Sequence, residues 1–120
     1  MLAPLLLLAC GPELPLVGVQ PLGRTGAGDV TVAMSALTTF YRVKAVALPA
    51  KPLPSSAYYS PRSRYRADKL LKHLDSIRPP GCSMVVGLTS SDISTSVRDV
   101  TDLGVFGLGN LGGTACVVST

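Results

Sequence analysis

The side chains that could do chemistry are few in this chain and widely scattered. His73 is the single histidine, and Cys10, Cys82 and Cys116 stand far apart with no CxxC pair. That spacing excludes a zinc knuckle and a thioredoxin-type redox motif. A catalytic zinc usually takes three protein ligands, so His73 by itself reads as an exposed helical residue. Ser, His and Asp all occur, but no serine sits in a nucleophile-elbow frame. Gly107-Leu108-Gly109-Asn110-Leu111-Gly112 spells GxGxxG, yet a dinucleotide site needs a helix opening through that turn. Here the following Thr114-Ala115-Cys116-Val117-Val118-Ser119 favours a strand. Gly23-Arg24-Thr25-Gly26-Ala27-Gly28-Asp29 lacks the Gly-Lys-Ser/Thr ending of a P-loop and reads as a turn. Motifs alone therefore supply neither nucleotide binding nor hydrolysis.

Hydrophobic periodicity places these residues on an α/β frame. Residues 16–22, Leu-Val-Gly-Val-Gln-Pro-Leu, form a short apolar run suited to a buried strand. Asp29 is the expected N-cap of a helix over about residues 30–41, with Val30, Ala33, Met34, Leu37 and Tyr41 at helical spacing. Residues 43–48 then read as a strand, and the β-α-β order implies a parallel pair with a right-handed crossover. A Pro- and Ser-rich connection covers residues 49–63. Ser63 is the expected cap of a second helix lined by Tyr65, Ala67, Leu70, Leu71, Leu74 and Ile77 and closed by Pro79-Pro80-Gly81.

Residues 83–89 read as a third strand and residues 90–102 as a polar loop. Val105-Phe106-Gly107-Leu108 is the expected glycine-rich edge strand, joined through a turn at residues 110–113 to a last strand over residues 114–119. The fold class is α/β: a mixed, mostly parallel five-stranded sheet with two helices and an antiparallel edge strand. Val85-Val86 and Val117-Val118 face opposite ways along their strands, so both faces of the sheet need apolar cover. A strand order 2-1-3 would put the two helices on opposite faces and leave part of one face bare. A third helix after Thr120 would cover it.

The composition supports a single globular domain: 120 residues, 47% hydrophobic and only 15% charged. The net charge of +4 permits an acidic partner without requiring one. Arg62, Arg64, Arg66, Lys69, Lys72 and Arg78 supply more than half of the 11 basic residues. Asp68 and Asp75 interrupt them and the aromatic interleaving of RNA readers is missing, so they read as a solvated helix face and not a nucleic-acid site. Cys82 and Cys116 read as small apolar residues at or beside strands, or as a disulfide if the protein is exported and the strands are neighbours.

Residues 1–15 read as a leader and tether, distinct from a domain over residues 16–120. Leu7-Leu8-Ala9-Cys10 has the form of a bacterial lipobox, making Cys10 the lipidation candidate and a membrane tether. No Lys or Arg precedes the apolar run, which is also shorter than a normal signal core. A start site misplaced inside a longer signal peptide would account for both. The competing readings are a loosely packed apolar N-terminus and a cytoplasmic protein.

Read together, the second half resembles a known family. Ala57-Tyr58-Tyr59-Ser60-Pro61-Arg62, then Arg64-Tyr65-Arg66-Ala67-Asp68-Lys69-Leu70-Leu71 with Leu74, then Val86-Gly87-Leu88-Thr89-Ser90-Ser91-Asp92-Ile93, and Val105-Phe106-Gly107-Leu108 with Val117-Val118-Ser119 are similar to the N-terminal half of an archaemetzincin, a zinc peptidase of the metzincin group. The resemblance implies a zincin-like N-terminal subdomain whose antiparallel edge strand pairs with an extended peptide substrate. By motif position that edge is Val105, Phe106, Gly107, Leu108, Gly109 and Asn110, and β-augmentation is the binding mode it implies. In the family the next element is a helix with His-Glu-x-x-His-x-x-Gly-x-x-His, whose histidines hold zinc and whose Glu acts as general base.

Thr120 precedes that helix, so no zinc ligand or general base carries over to this sequence. Zinc is expected in the full-length protein and none in this chain, which is expected to be catalytically silent. The alternative function is a non-catalytic peptide-binding or scaffold domain of the same fold.

Overall fold

A computed structural model describes residues 14–109 and 112–120. The chain runs β1 (Leu16–Pro21), α1 (Ala27–Phe40), β2 (Lys44–Ala47), β3 (Tyr58–Tyr59), β4 (Arg64–Arg66), α2 (Ala67–Ile77), β5 (Met84–Thr89), β6 (Ile93–Val97), β7 (Val100–Val105), β8 (Gly107–Gly109) and β9 (Ala115–Ser119), with 3-10 turns at Ser55–Ala57 and Ser60–Arg62. A five-stranded sheet has the order β2-β1-β5-β9-β8. Its first four strands are parallel and β8 is antiparallel to β9. The architecture expected from the sequence is therefore present, including the reversal of direction after β2.

The central strands are apolar on both faces because parallel strands flanked by crossovers lie inside the molecule. Val85, Ala115 and Val117 turn toward α2, where Leu70, Leu71 and Leu74 complete a core with Leu22 and Ile93. Leu74 projects over Gly87, whose lack of a side chain makes room for it. The alternate residues face the other way. There Val17, Met84, Val86 and Cys116 join Leu37 of α1 and the following Tyr41 and Val43 around an apolar cavity of about 310 Å³. Cover on that side is incomplete: Met84 and Val118 are each 38% exposed.

A second sheet, of order β3-β4-β6-β7, replaces the polar loop expected over residues 90–102. Ile93, Ser94 and Thr95 are buried in it, and the β-branched Ile93, Thr95 and Val97 alternate with serines whose polarity makes the segment look like a loop. Pairing with β4 on one side and β7 on the other satisfies its backbone, which is what makes a Ser/Thr-rich strand stable here.

The helix starts also differ from expectation. Gly26, not Asp29, precedes α1, and Asp29 lies in the first turn, where its carboxylate meets the positive end of the helix dipole. Ser63 does not cap α2. It has a left-handed φ of 52° and closes the preceding 3-10 turn, its N–H donating to the Ser60 carbonyl at 3.2 Å. Tyr65 accordingly belongs to β4, with its ring 5.2 Å from that of Tyr58. Sheet pairing of residues 64–66 outcompeted one more helical turn.

Candidate functional site

The edge anticipated as one strand is built from two. Val105 ends β7, Phe106 makes a bend, and Gly107–Gly109 forms β8. On one side of the bend Val105 pairs with Ile93, and on the other Gly107, Leu108 and Gly109 pair with Val118, Val117 and Cys116. A nearly continuous edge thus passes from the second sheet to the first. Asn110 and Cys10, the other residues singled out from the sequence, lie outside the described residues.

The backbone orientation of β8 follows from one hydrogen bond. Ser119 N–H donates to the Phe106 carbonyl at 2.7 Å, and partners in an antiparallel ladder alternate between bonded and non-bonded pairs. Leu108 therefore directs its N–H and C=O toward β9, while Gly107 and Gly109 direct theirs outward. Among the described residues no strand lies beyond β8. Leu108 is half-buried against the α2 core, and the Phe106 ring is 89% exposed beside the free edge. The arrangement can accept an added peptide strand: two glycines offer bare backbone groups and an aromatic ring stands next to them.

The segment leading into this edge is held by a charge cluster that the sequence reading missed. Asp102 on β7 pairs with Arg66 at 3.1 Å and with Arg64 Nε at 3.7 Å, and its side chain is only 7% exposed. The Ser94 hydroxyl donates to the same carboxylate. Arg66 also donates to Thr101 O at 2.8 Å and to Ser96 Oγ at 2.6 Å, pairs with Asp68 at 3.5 Å, and lies over the Tyr59 ring at 5.8 Å. The Ser94 hydroxyl first, then the two guanidiniums, hold the Asp102 carboxyl below its ordinary value of 3.8, against an upward push from burial. The signal available in the sequence was the alternation Arg64-x-Arg66 beside a strand-breaking Pro-Arg-Ser, which does not reveal a partner 36 residues on.

At the other end of β9, Thr120 N–H donates to Thr89 O at 2.9 Å and the Thr120 hydroxyl to Asp29 at 3.2 Å. Cys82 and Cys116 are both free thiols, which resolves the open disulfide reading in favour of packing. Burial pushes the Cys116 thiol above its ordinary value of 9.0. His73 is half-buried on α2, not fully exposed. Among the described residues no three His, Cys, Asp or Glu side chains come together as a metal site, so the residues in hand do not fit a zinc centre.

No family model matches the chain. Archaemetzincin from Halobacterium salinarum, in two strains, is 31% identical over 104 residues, which is 87% of this chain and 57% of the relative. The chain thus spans a little over half the length of these curated relatives. The crystal structure of archaemetzincin from Archaeoglobus fulgidus, complexed with malonate, is 26% identical with a TM-score of 0.71 over 87% of this chain and 60% of that one. Archaemetzincin from Methanopyrus kandleri is 27% identical with a TM-score of 0.71, covering 92% and 59%. A zinc-dependent peptidase from Methanocorpusculum labreanum, 17% identical with a TM-score of 0.67 over 86% and 62%, shares the fold. Shared sequence and shared topology agree, and the chain belongs to the archaemetzincin family.

Proposed function

We propose that this chain is the N-terminal, substrate-facing part of a zinc-dependent metallopeptidase, with residues 16–120 as its subdomain and residues 1–15 as a leader. In this reading β8 holds an extended peptide by β-augmentation, and hydrolysis by a zinc-activated water in the whole protein depends on ligands the described residues do not supply. The observation that carries it is the outward backbone of Gly107 and Gly109 at the antiparallel edge of a sheet shared with archaemetzincins. The test is a titration of the 15N-labelled chain with a blocked peptide of alternating Val and Lys. Shifts confined to residues 105–109 are expected, and a peptide N-methylated at every amide, which has no donor left on either strand edge, should produce none. Shifts spread elsewhere, or equal binding of the methylated peptide, overturn the edge assignment.

A non-catalytic peptide-binding domain of the same fold is the second reading, and it uses the same outward backbone groups of Gly107 and Gly109. The reading frame past codon 120 separates the two. A His-Glu-x-x-His helix in the continuing frame supports the enzyme, and a stop codon followed by stable folding supports the binding domain. In either case the purified 120-residue chain should carry zinc only at background.

Membrane attachment through Cys10 remains a proposal that rests on Leu7-Leu8-Ala9-Cys10. Among the described residues no helix is long and apolar enough to cross a membrane. The mass of the N-terminal peptide from cell membranes decides it, since an unprocessed Met1 ends the lipoprotein reading.

A further inference from the structure

β7, which carries the charge cluster, and β8, which carries the free edge, are separated in the chain by Phe106 alone. Asp102 is the only acid among the described residues that both Arg64 and Arg66 approach, and three strands meet at it: β4 through the arginines, β6 through Ser94, and β7 itself. Arg66 adds a second grip on β7 through Thr101 O and reaches β6 through Ser96, whose hydroxyl also donates to Thr101 O at 2.7 Å. Gly104 belongs to the same construction, since a Cβ there would lie 2.8 Å from Arg64 Nη1. Downstream, Phe106 is tied to β9 only through its backbone, its ring being 89% exposed. The position of Phe106 and the start of β8 therefore depends on where β7 is pinned.

From this arrangement we propose that Asp102 is a positioning residue for the peptide-holding edge: by pinning β7 against β4 and β6 it sets the line along which Gly107 and Gly109 present their backbone groups. The proposal deepens the function given above and rests on it for the identity of the ligand. Its physical basis is that charge-assisted bonds in a side chain shielded from water are stronger than exposed ones and fix geometry as well as energy. The groups facing Asp102 are Arg64 and Arg66 from β4 and the Ser94 hydroxyl from β6; Arg66 is in turn faced by Asp68 of α2 and Tyr59 of β3. Ionised, Asp102 holds both arginines, and protonated, it releases their charge attraction and β7 loosens.

The test compares the wild-type 120-residue chain with Asp102→Asn by amide exchange and by titration with the blocked Val/Lys peptide. Protection of the Ser119 amide, which is bonded to Phe106, should fall about tenfold, while that of Val86 in the sheet centre is unchanged. Peptide affinity should fall about five- to tenfold, in line with losing one charge-assisted contact. Acidification should lower the Ser119-to-Val86 protection ratio in the wild type and leave it flat in the variant. If Asp102→Asn fails to fold, Gly104→Ala displaces the end of Arg64 with every charge retained and should give a smaller loss of the same kind.

Unchanged Ser119 protection overturns the proposal. So does lowered protection with undiminished peptide affinity, which would make the cluster purely structural. A wild-type chain that binds no peptide refutes the peptide function itself, a failure distinguishable because Ser119 protection would still respond to the variant.

Discussion

Leu74 of α2 sits directly over Gly87 of β5, so close that a Cβ on residue 87 would lie 2.6 Å from Leu74 Cδ1. Leu74 is fully buried, and this contact sets how near α2 approaches the sheet. Gly87→Ala is expected to destabilise the chain by about 1–3 kcal/mol through overpacking. Leu74→Ala should cost about 2–5 kcal/mol by leaving a cavity. The double variant should recover part of the combined loss, because the added methyl fills the space the leucine leaves. Urea unfolding of the three variants measures this, and strictly additive losses would show that the two sites do not communicate.

Asp102 makes stability depend on acid. Its carboxyl is held below the ordinary value in the folded chain, so its contribution is fully present above the unfolded value and is lost as pH falls through the folded one. The melting midpoint of the wild type should therefore drop more steeply than that of Asp102→Asn below about pH 4, the usual carboxylate range. Thermal melts from about pH 6 to about pH 2 test it, and parallel profiles would remove Asp102 as the origin.

Cys116 should be a slow thiol. Burial raises it above its ordinary value, and only the thiolate alkylates. Iodoacetamide labelling of Cys116 should therefore be slow near neutral pH and rise only above about pH 9, later than a free thiol. Cys82, 3% exposed, should label only on unfolding. A disulfide-linked peptide containing both residues would contradict the two free thiols.

The sheet face opposite α2 should drive self-association. Met84 and Val118 are partly exposed beside Val86 and Cys116, forming an apolar surface that α1 covers incompletely. Val118→Lys should shift sedimentation toward monomer at a given concentration with little change in the melt. Unaltered association would locate the contact elsewhere, with Phe106 the next surface to change.

The parts of the fold legible in the sequence were those written in a dense local code. Residues 16–21, 84–89 and 115–119 are apolar on both faces, and that pattern is nearly sufficient for a buried parallel strand. Leu70, Leu71 and Leu74 recur at helical spacing, and the stop at Pro79-Pro80-Gly81 was equally plain. The second sheet was not legible. Ile93-Ser94-Thr95-Ser96-Val97 alternates β-branched residues with serines, a strand signal that the surrounding Ser and Asp residues hide, and pairing with β4 and β7 on either side makes it a strand. Tyr65 fits a helical stripe as well as a strand, and the contact with Tyr58 decided between them.

For the candidate site the division is similar. That a glycine-rich segment borders the sheet is legible locally, because Gly107 and Gly109 alternate beside an apolar run that must be buried. The family is legible in the same way, as 31% identity spread over 104 residues. The bend at Phe106, the outward backbone groups of Gly107 and Gly109, and the meeting of Asp102 with Arg64 and Arg66 come from the folded arrangement alone. The physical reason is range: periodicity reports a residue's relation to its near neighbours, whereas strand register and ion pairing join residues dozens of positions apart, where no local pattern records the partner.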